Sequence, residues 1–373
     1  MRVDGTPTRA IWQDGPRVCF IDQTRLPHRV AVVRAGSVER MARAIVEMQV
    51  RGAPLIGAAA AYGVALAMQR DPSDAGLQAA LALLGSTRPT AVNLHWALRR
   101  QRTRLAPLAP EARALAAWAV ATQTADEDVA TNAAIGRHGL DLIGALEPRG
   151  ARLNLLTHCN AGWLATVDGG TALAPVYAAH DAGLDLHIWV DETRPRNQGA
   201  ALTAWELGQH GVPHTVIADN AGGHLMQHGE VDAVIVGADR IAANGDVANK
   251  IGTYLKALAA HDQGVPFWVA APVSTLDASI SDGVAGIPIE NRSADELCWF
   301  AGVDNSGRRR RVRVTPAGSA AHNPAFDVTP ARLVSGIITE QGVVAANRTG
   351  VAQAILSKAE TARRNASAED DPQ

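Results

Sequence analysis

Apolar and polar positions change their period partway along this chain. From Val38 onward Met41, Ala42, Ile45 and Met48 recur at three- and four-residue spacing, which is one face of an α-helix, and Ser37 just before them suits an N-cap. Further helical patterns cover about 54–69, 91–105 and 110–144. Ahead of them, "RVCFIDQTRLPHRVAVVR" reads as two short strands, Val18–Asp22 and Arg29–Arg34, joined by a turn built on Pro27. After the linker-like "EPRGAR" the period shortens: "LNLLTH", "LHIWVDE", "HTVIAD", "DAVIVGAD" and "PFWVAAP" are apolar strand-like runs separated by segments of helical length. Strand, helix and strand repeated with right-handed crossovers give a parallel sheet covered on both faces. The expectation is an α/β protein: a mostly helical domain with a small β-sheet over 1–146, a Rossmann-like doubly wound parallel-sheet domain over 147–355, and a solvated, disordered tail over 356–373.

Composition narrows the classes of function. A 47% apolar chain of 373 residues has ample material for real cores, and its formal charge of -2 supplies no global field toward nucleic acid or an anionic membrane. No stretch approaches the roughly 18 uninterrupted apolar residues of a membrane helix, and "MRVDGTPTRAIW" lacks a signal-peptide core, so a cytoplasmic protein is expected. Cys19, Cys159 and Cys298 are odd in number and widely spaced, which argues against a disulfide framework and against a zinc site. "GRRRRVRV" gathers Arg308 to Arg311 and Arg313, but aromatic interleaving is missing, so a solvated loop and edge strand is expected rather than a nucleic-acid surface.

In doubly wound sheets ligands sit beyond the carboxyl ends of the strands. There the chain offers Cys159 after "LLTH", the polar run Asp191 to Gln198 after "HIWV", and Asp239 after "DAVIVGA". A helix-capping role competes for Asp239, and packing competes for Cys159. Lys250, one of only three lysines, lies where a helix is expected to start near Asn249, a setting that suits a phosphate. Gly52 and Pro54 at the head of "RGAPLIGAAAAYG" give the first domain a similar device, with Arg51 and Ala53 beside it, and Arg88 precedes another helix. Neither a G-x-G-x-x-G fingerprint nor a G-x-x-x-x-G-K-[ST] loop is present, which weakens dinucleotide and nucleoside-triphosphate readings.

Taken together, "VRGAPLIGAAAAYG", "RPTAVNLHWA", "LLTHCNAGWLATVDGGTAL", "VDETRPRNQGAALTAWEL", "VGADRIAANGDVANKIGTYLKALAAHDQGVPFWVAAPVSTLD", "IPIENRSADEL" and "NPAFDVTPARLVSGIITEQGVV" resemble the methylthioribose-1-phosphate isomerases of methionine salvage, within the translation initiation factor 2B-like isomerase family. The resemblance covers about residues 10–350. It implies an aldose–ketose isomerase acting on 5-methylthioribose 1-phosphate without cofactor or metal, working as a homodimer. Carried over by position, it implies catalytic roles for Cys159 and Asp239 and substrate contacts from Arg51, Gly52, Ala53, Arg88, Gln198, Asn249 and Lys250. Two other readings share the fold: a non-catalytic regulatory subunit, and an isomerase of ribose 1,5-bisphosphate.

Overall fold

The computed structural model describes residues 1–369, with side chains through residue 361. Its central sheet has seven strands: β1 (Leu153–Thr157), β2 (Leu186–Asp191), β3 (His214–Ile217), β4 (Ala233–Val236), β5 (Phe267–Ala270), β6 (Gly336–Thr339) and β7 (Gly342–Val344). Their order across the sheet is β7-β6-β5-β4-β1-β2-β3, all parallel except the β6/β7 hairpin. Every residue of β4, β5 and β6 is buried, the signature of strands covered on both faces. The chain runs outward from β1 through β2 to β3, then returns to place β4 on the other side of β1. This reversal is the topological switch point, where a crevice opens beyond the strand ends.

The N-terminal half is built on helices α1 (Val38–Val46), α2 (Ala53–Arg70), α3 (Asp74–Gly85), α4 (Val92–Leu105) and α5 (Pro110–Gly144). Ser37 caps α1 as its side chain accepts from the Arg40 amide. Helix α2 is buried from Leu55 to Met68 without a polar stripe, because α1, α3, α4 and α5 all pack around it. Helix α3 has no counterpart in the sequence reading; Ser73 caps it, accepting from the Gly76 amide at 3.0 Å. The small antiparallel sheet has three strands, Ile11–Asp14, Arg17–Ile21 and Val32–Ala35, one more than expected, and the last begins at Val32 rather than Arg29, after a 3-10 turn over Gln23–Arg25.

Three expectations need correction. Asn249 and Lys250 lie on a strand, Val247–Lys250, because that segment pairs with both Arg240–Ala242 and Phe326–Thr329; the helix begins only at Thr253. The start of that helix is also no free anion site, since the Asp327 carboxylate accepts from the Gly252 amide at 2.7 Å and the Tyr254 amide at 3.2 Å. Finally, a helix over Arg348–Glu369 crosses the 355/356 boundary and occupies much of the segment expected as a loose tail. Asn347 accepts from the Gly350 amide at its start, Val351 and Ala354 are buried, and Lys358 pairs with Glu340 at 2.6 Å. Residues 370–373 of that expected tail lie outside the described residues.

The largest apolar cluster joins Leu55, Ile135 and Ile143 of the helical half to Leu155, Leu173, Ile188 and Ile338 around the sheet. Each such side chain contributes about 1.5–3 kcal/mol when buried, so packing is continuous across the linker. Among the described residues, no helix is long and apolar enough to cross a membrane.

Candidate active site

The strand end after β1 is unusual at Cys159, whose φ of 67° lies in the left-handed region. For a residue with a side chain this conformation costs roughly 1–2 kcal/mol and persists only where its surroundings impose it. Two hydroxyls do so. The Cys159 amide donates to Thr193 Oγ1 at 2.8 Å, and Thr203 Oγ1 donates to the Cys159 carbonyl at 2.7 Å. Thr193, itself at φ 66°, is fixed in turn by Asp219, whose carboxylate accepts from the Thr193 and Arg194 amides at 2.8 and 2.7 Å. The loop after β2 thus shapes the loop after β1.

Asp239 follows β4, the other strand at the switch point, and its amide donates to Ala248 at 2.9 Å. Burial pushes its carboxyl up, opposed by Lys250, Arg88 and Arg51. Burial likewise raises the thiol of Cys159, which is 8% exposed, and Arg51 and Lys250 pull it back while Asp239 adds to the rise. The Lys250 ammonium is lowered by burial and supported by Cys159 and Asp239. Thiol, carboxyl and two cations therefore share one electrostatic neighbourhood. Lys250 Nζ donates to the Ala325 carbonyl at 2.9 Å and lies 4.5 Å from the Phe326 ring centroid.

The remaining candidates surround this centre. Gly52, at φ 100°, precedes α2, and a side chain there would collide with Ala165, so only glycine permits the approach. Ala53 and Arg88 line, with Asp239, a narrow recess of about 40 Å³. Arg88 pairs with Glu290 at 3.1 Å. Arg51 and Gln198 line a larger cavity of about 600 Å³ with an apolar side formed by Leu26, Met48 and Leu202. Gln198 Oε1 and Arg88 Nε are buried without a protein partner, as expected of atoms kept for a ligand. Asn249 is buried and donates to Thr253 Oγ1 at 3.1 Å, so it supports the strand beside Lys250 and points to its own helix start.

Several residues were not singled out by the sequence. Arg51 donates to both the side-chain oxygen and the carbonyl of Asn160, next to Cys159. Glu206, on the helix Ala204–His210, is wholly buried against the loop after β1; its signal was an acidic residue amid the apolar "LTAWEL". The arginine-rich segment forms an exposed antiparallel hairpin, Trp299–Val303 with Arg309–Arg313, and Arg309 and Arg311 reach the rim of the larger cavity. Among the described residues one trio has metal-ligand spacing, His158, Asp191 and Asp219. Lys256 Nζ, 3.1 Å from Asp191 Oδ2, already places a positive charge there, and both ring nitrogens of His158 face oxygens, Asp191 Oδ2 and the Ile251 carbonyl, at 2.8 Å.

Known proteins resemble this arrangement closely. Residues 49–346 match the model of the initiation factor 2 subunit family. A methylthioribose-1-phosphate isomerase of Methylocella silvestris is 62% identical over 363 residues, covering 96% of this chain and 99% of its own. The crystal structure of 5-methylthioribose 1-phosphate isomerase from Pyrococcus horikoshii superposes with a TM-score of 0.81 at 40% identity, covering 94% of this chain and 96% of that one. A structure of translation initiation factor eIF-2B, subunit delta, from A. fulgidus gives 0.77 at 40% identity, covering 92% and 99%. With relatives this similar along nearly its whole length, the chain belongs to the initiation factor 2 subunit family, among its methylthioribose-1-phosphate isomerases.

Proposed function

We infer that this protein converts 5-methylthioribose 1-phosphate to 5-methylthioribulose 1-phosphate, with Cys159 and Asp239 as the reacting pair. What supports the reading is that the two follow adjacent strands, β1 and β4, at the switch point, both raised by burial and both influenced by the charges of Arg51 and Lys250. A regulatory subunit would have no use for a cysteine held in a left-handed backbone and a desolvated carboxyl at adjacent strand ends.

The substrate carries its phosphate on the anomeric oxygen, so its ring cannot open by loss of a hydroxyl proton. Burial strengthens the hold of the Asp239 carboxyl on its proton, the direction an acid at this position needs. Asp239 delivers its proton to the ring oxygen as the C1–O bond breaks and its electron pair passes to that oxygen. The hydrogen on C2 then moves to C1 with its electron pair, C2 becomes a carbonyl, and the C2 hydroxyl proton returns to the Asp239 carboxylate. A raised thiol disfavours the alternative in which Cys159 removes the C2 proton as a thiolate, and favours a neutral, polarizable sulfur beside the migrating hydride. Arg51, Arg88, Lys250 and the amides of Gly52 and Ala53 hold the phosphate, and Gln198 and Asn249 complete the substrate contacts. Anchoring a dianion in this way turns binding energy into alignment of C1 and C2.

The larger cavity carries Leu26, Met48 and Leu202, which suit a methylthio group, and also Arg194, Arg196, Arg309 and Arg311, which would suit a second phosphate, so the choice of substrate is decided by turnover. Turnover of 5-methylthioribose 1-phosphate and ribose 1,5-bisphosphate, measured side by side on the purified protein, tests the assignment. Strong preference for the first is expected; equal or reversed preference, or no turnover of either, contradicts it. The same reading holds that residues 1–146 and 147–355 close on the substrate as two domains, and that the enzyme is a cytoplasmic homodimer.

A further inference from the structure

Glu206 has no part in the chemistry above, yet its carboxylate is fully buried and fully engaged. It is 0% exposed, and four donors converge on it: Asn160 Nδ2 at 2.8 Å and the Leu164 amide at 3.0 Å on Oε1, the Trp163 amide at 2.9 Å and the Tyr177 hydroxyl at 2.9 Å on Oε2. Gly162 gives it room, since a side chain there would overlap Oε2. The loop "CNAGWLA" is thus wrapped around one carboxyl group.

The consequence lies at Asn160. A side-chain amide has a donor end and an acceptor end, and its neighbours decide which way it faces. In its ionised form the Glu206 carboxylate only accepts, and it draws the amide nitrogen inward, with Thr203 Oγ1 at 3.2 Å as that nitrogen's second partner. The amide oxygen is thereby turned outward, where it and the Asn160 carbonyl both accept from Arg51. The opposite orientation would set the amide nitrogen against a guanidinium, donor against donor. Arg51 spends two of its five donors on this latch and keeps the others for a ligand.

We propose that Glu206 is a positioning residue that acts through Asn160 to fix the guanidinium of Arg51 for the substrate phosphate. The inference rests on the phosphate role given to Arg51 above. Glu206→Gln places an amide nitrogen against a backbone amide or the Tyr177 hydroxyl, so the orientation of Asn160 is no longer enforced. Steady-state kinetics of wild type, Glu206→Gln, Arg51→Ala and the double variant separate the possibilities. Glu206→Gln raises KM about tenfold, the size of one lost charge-assisted hydrogen bond, with a smaller change in kcat. On the Arg51→Ala background the same substitution adds less than about twofold, because the group it orients is gone. Equal effects on both backgrounds, or a single variant with wild-type KM, overturn the inference. Should Arg51→Ala itself leave KM unchanged, the phosphate role falls and the inference with it, whereas a raised KM with additive effects removes the relay alone. Asn160→Ala, which breaks the latch and leaves the other three donors on Glu206, is held to the same outcomes if Glu206→Gln does not fold.

Discussion

At the scale of single residues, the site is a set of groups held in unfavourable states by their neighbours. Cys159 keeps a left-handed backbone because Thr193 and Thr203 grip the peptide units on either side of it. Asp239 and Lys250 are both moved toward neutrality by burial, and each is drawn back by the other's charge. Among the described residues Lys250 has no carboxylate within hydrogen-bonding distance; its ammonium meets the Ala325 carbonyl and the Phe326 ring, so a phosphate would complete its environment. Lys250→Ala is therefore expected to raise KM by about tenfold or more, with kcat less affected, as when a charge-assisted contact made equally in ground and transition state is lost. Unchanged saturation in a velocity–concentration series would remove Lys250 from the phosphate site. Cys159 and Asp239 stood out in the sequence because a lone thiol and a carboxylate lay at strand ends, and Arg51 and Arg88 because they preceded helices. Asn160, Thr193 and Thr203 were not, because nothing in an asparagine or threonine announces that it braces a loop from another strand.

At the scale of elements, period was a good guide where one element met one environment. The five apolar runs became β1 to β5, and the pattern around Ser37 became a capped helix. It failed where pairing partners lay far away in sequence. Val247–Lys250 is a strand because Phe326–Thr329 lies beside it, and no local pattern reveals that neighbour. The expected anion site at the following helix was lost for the same reason, since Asp327, which fills it, sits on that distant strand. Pairing across 75 or so positions nevertheless serves the site: it fixes Lys250 on a rigid strand, where its ammonium is held more firmly than on a fraying helix end.

At the scale of the whole molecule, a wound sheet and a helical half share one apolar core, and the buried charges of the site are set into it. Those charges make stability depend on pH in a definite direction. Burial holds the Glu206 carboxyl at about 7, above its ordinary value of 4.5, and raises Asp128 to about 7 as well. A carboxyl raised in the folded state favours the protonated form there, so its contribution to stability is complete below the ordinary value and is lost as pH climbs through about 7. The part of the melting temperature due to Glu206 should fall between pH 4.5 and 7.5, so Glu206→Gln should change the slope of the pH profile there; parallel melting curves for the two proteins would contradict the assignment. The account as a whole turns on Cys159 and Asp239 meeting one bound sugar across the switch point. The direct measurement is kcat for 5-methylthioribose 1-phosphate in Cys159→Ser and Asp239→Asn, both checked for folding by circular dichroism. The account predicts losses of roughly 10²-fold or more in each, and kcat within a few fold of wild type in either folded variant would contradict it.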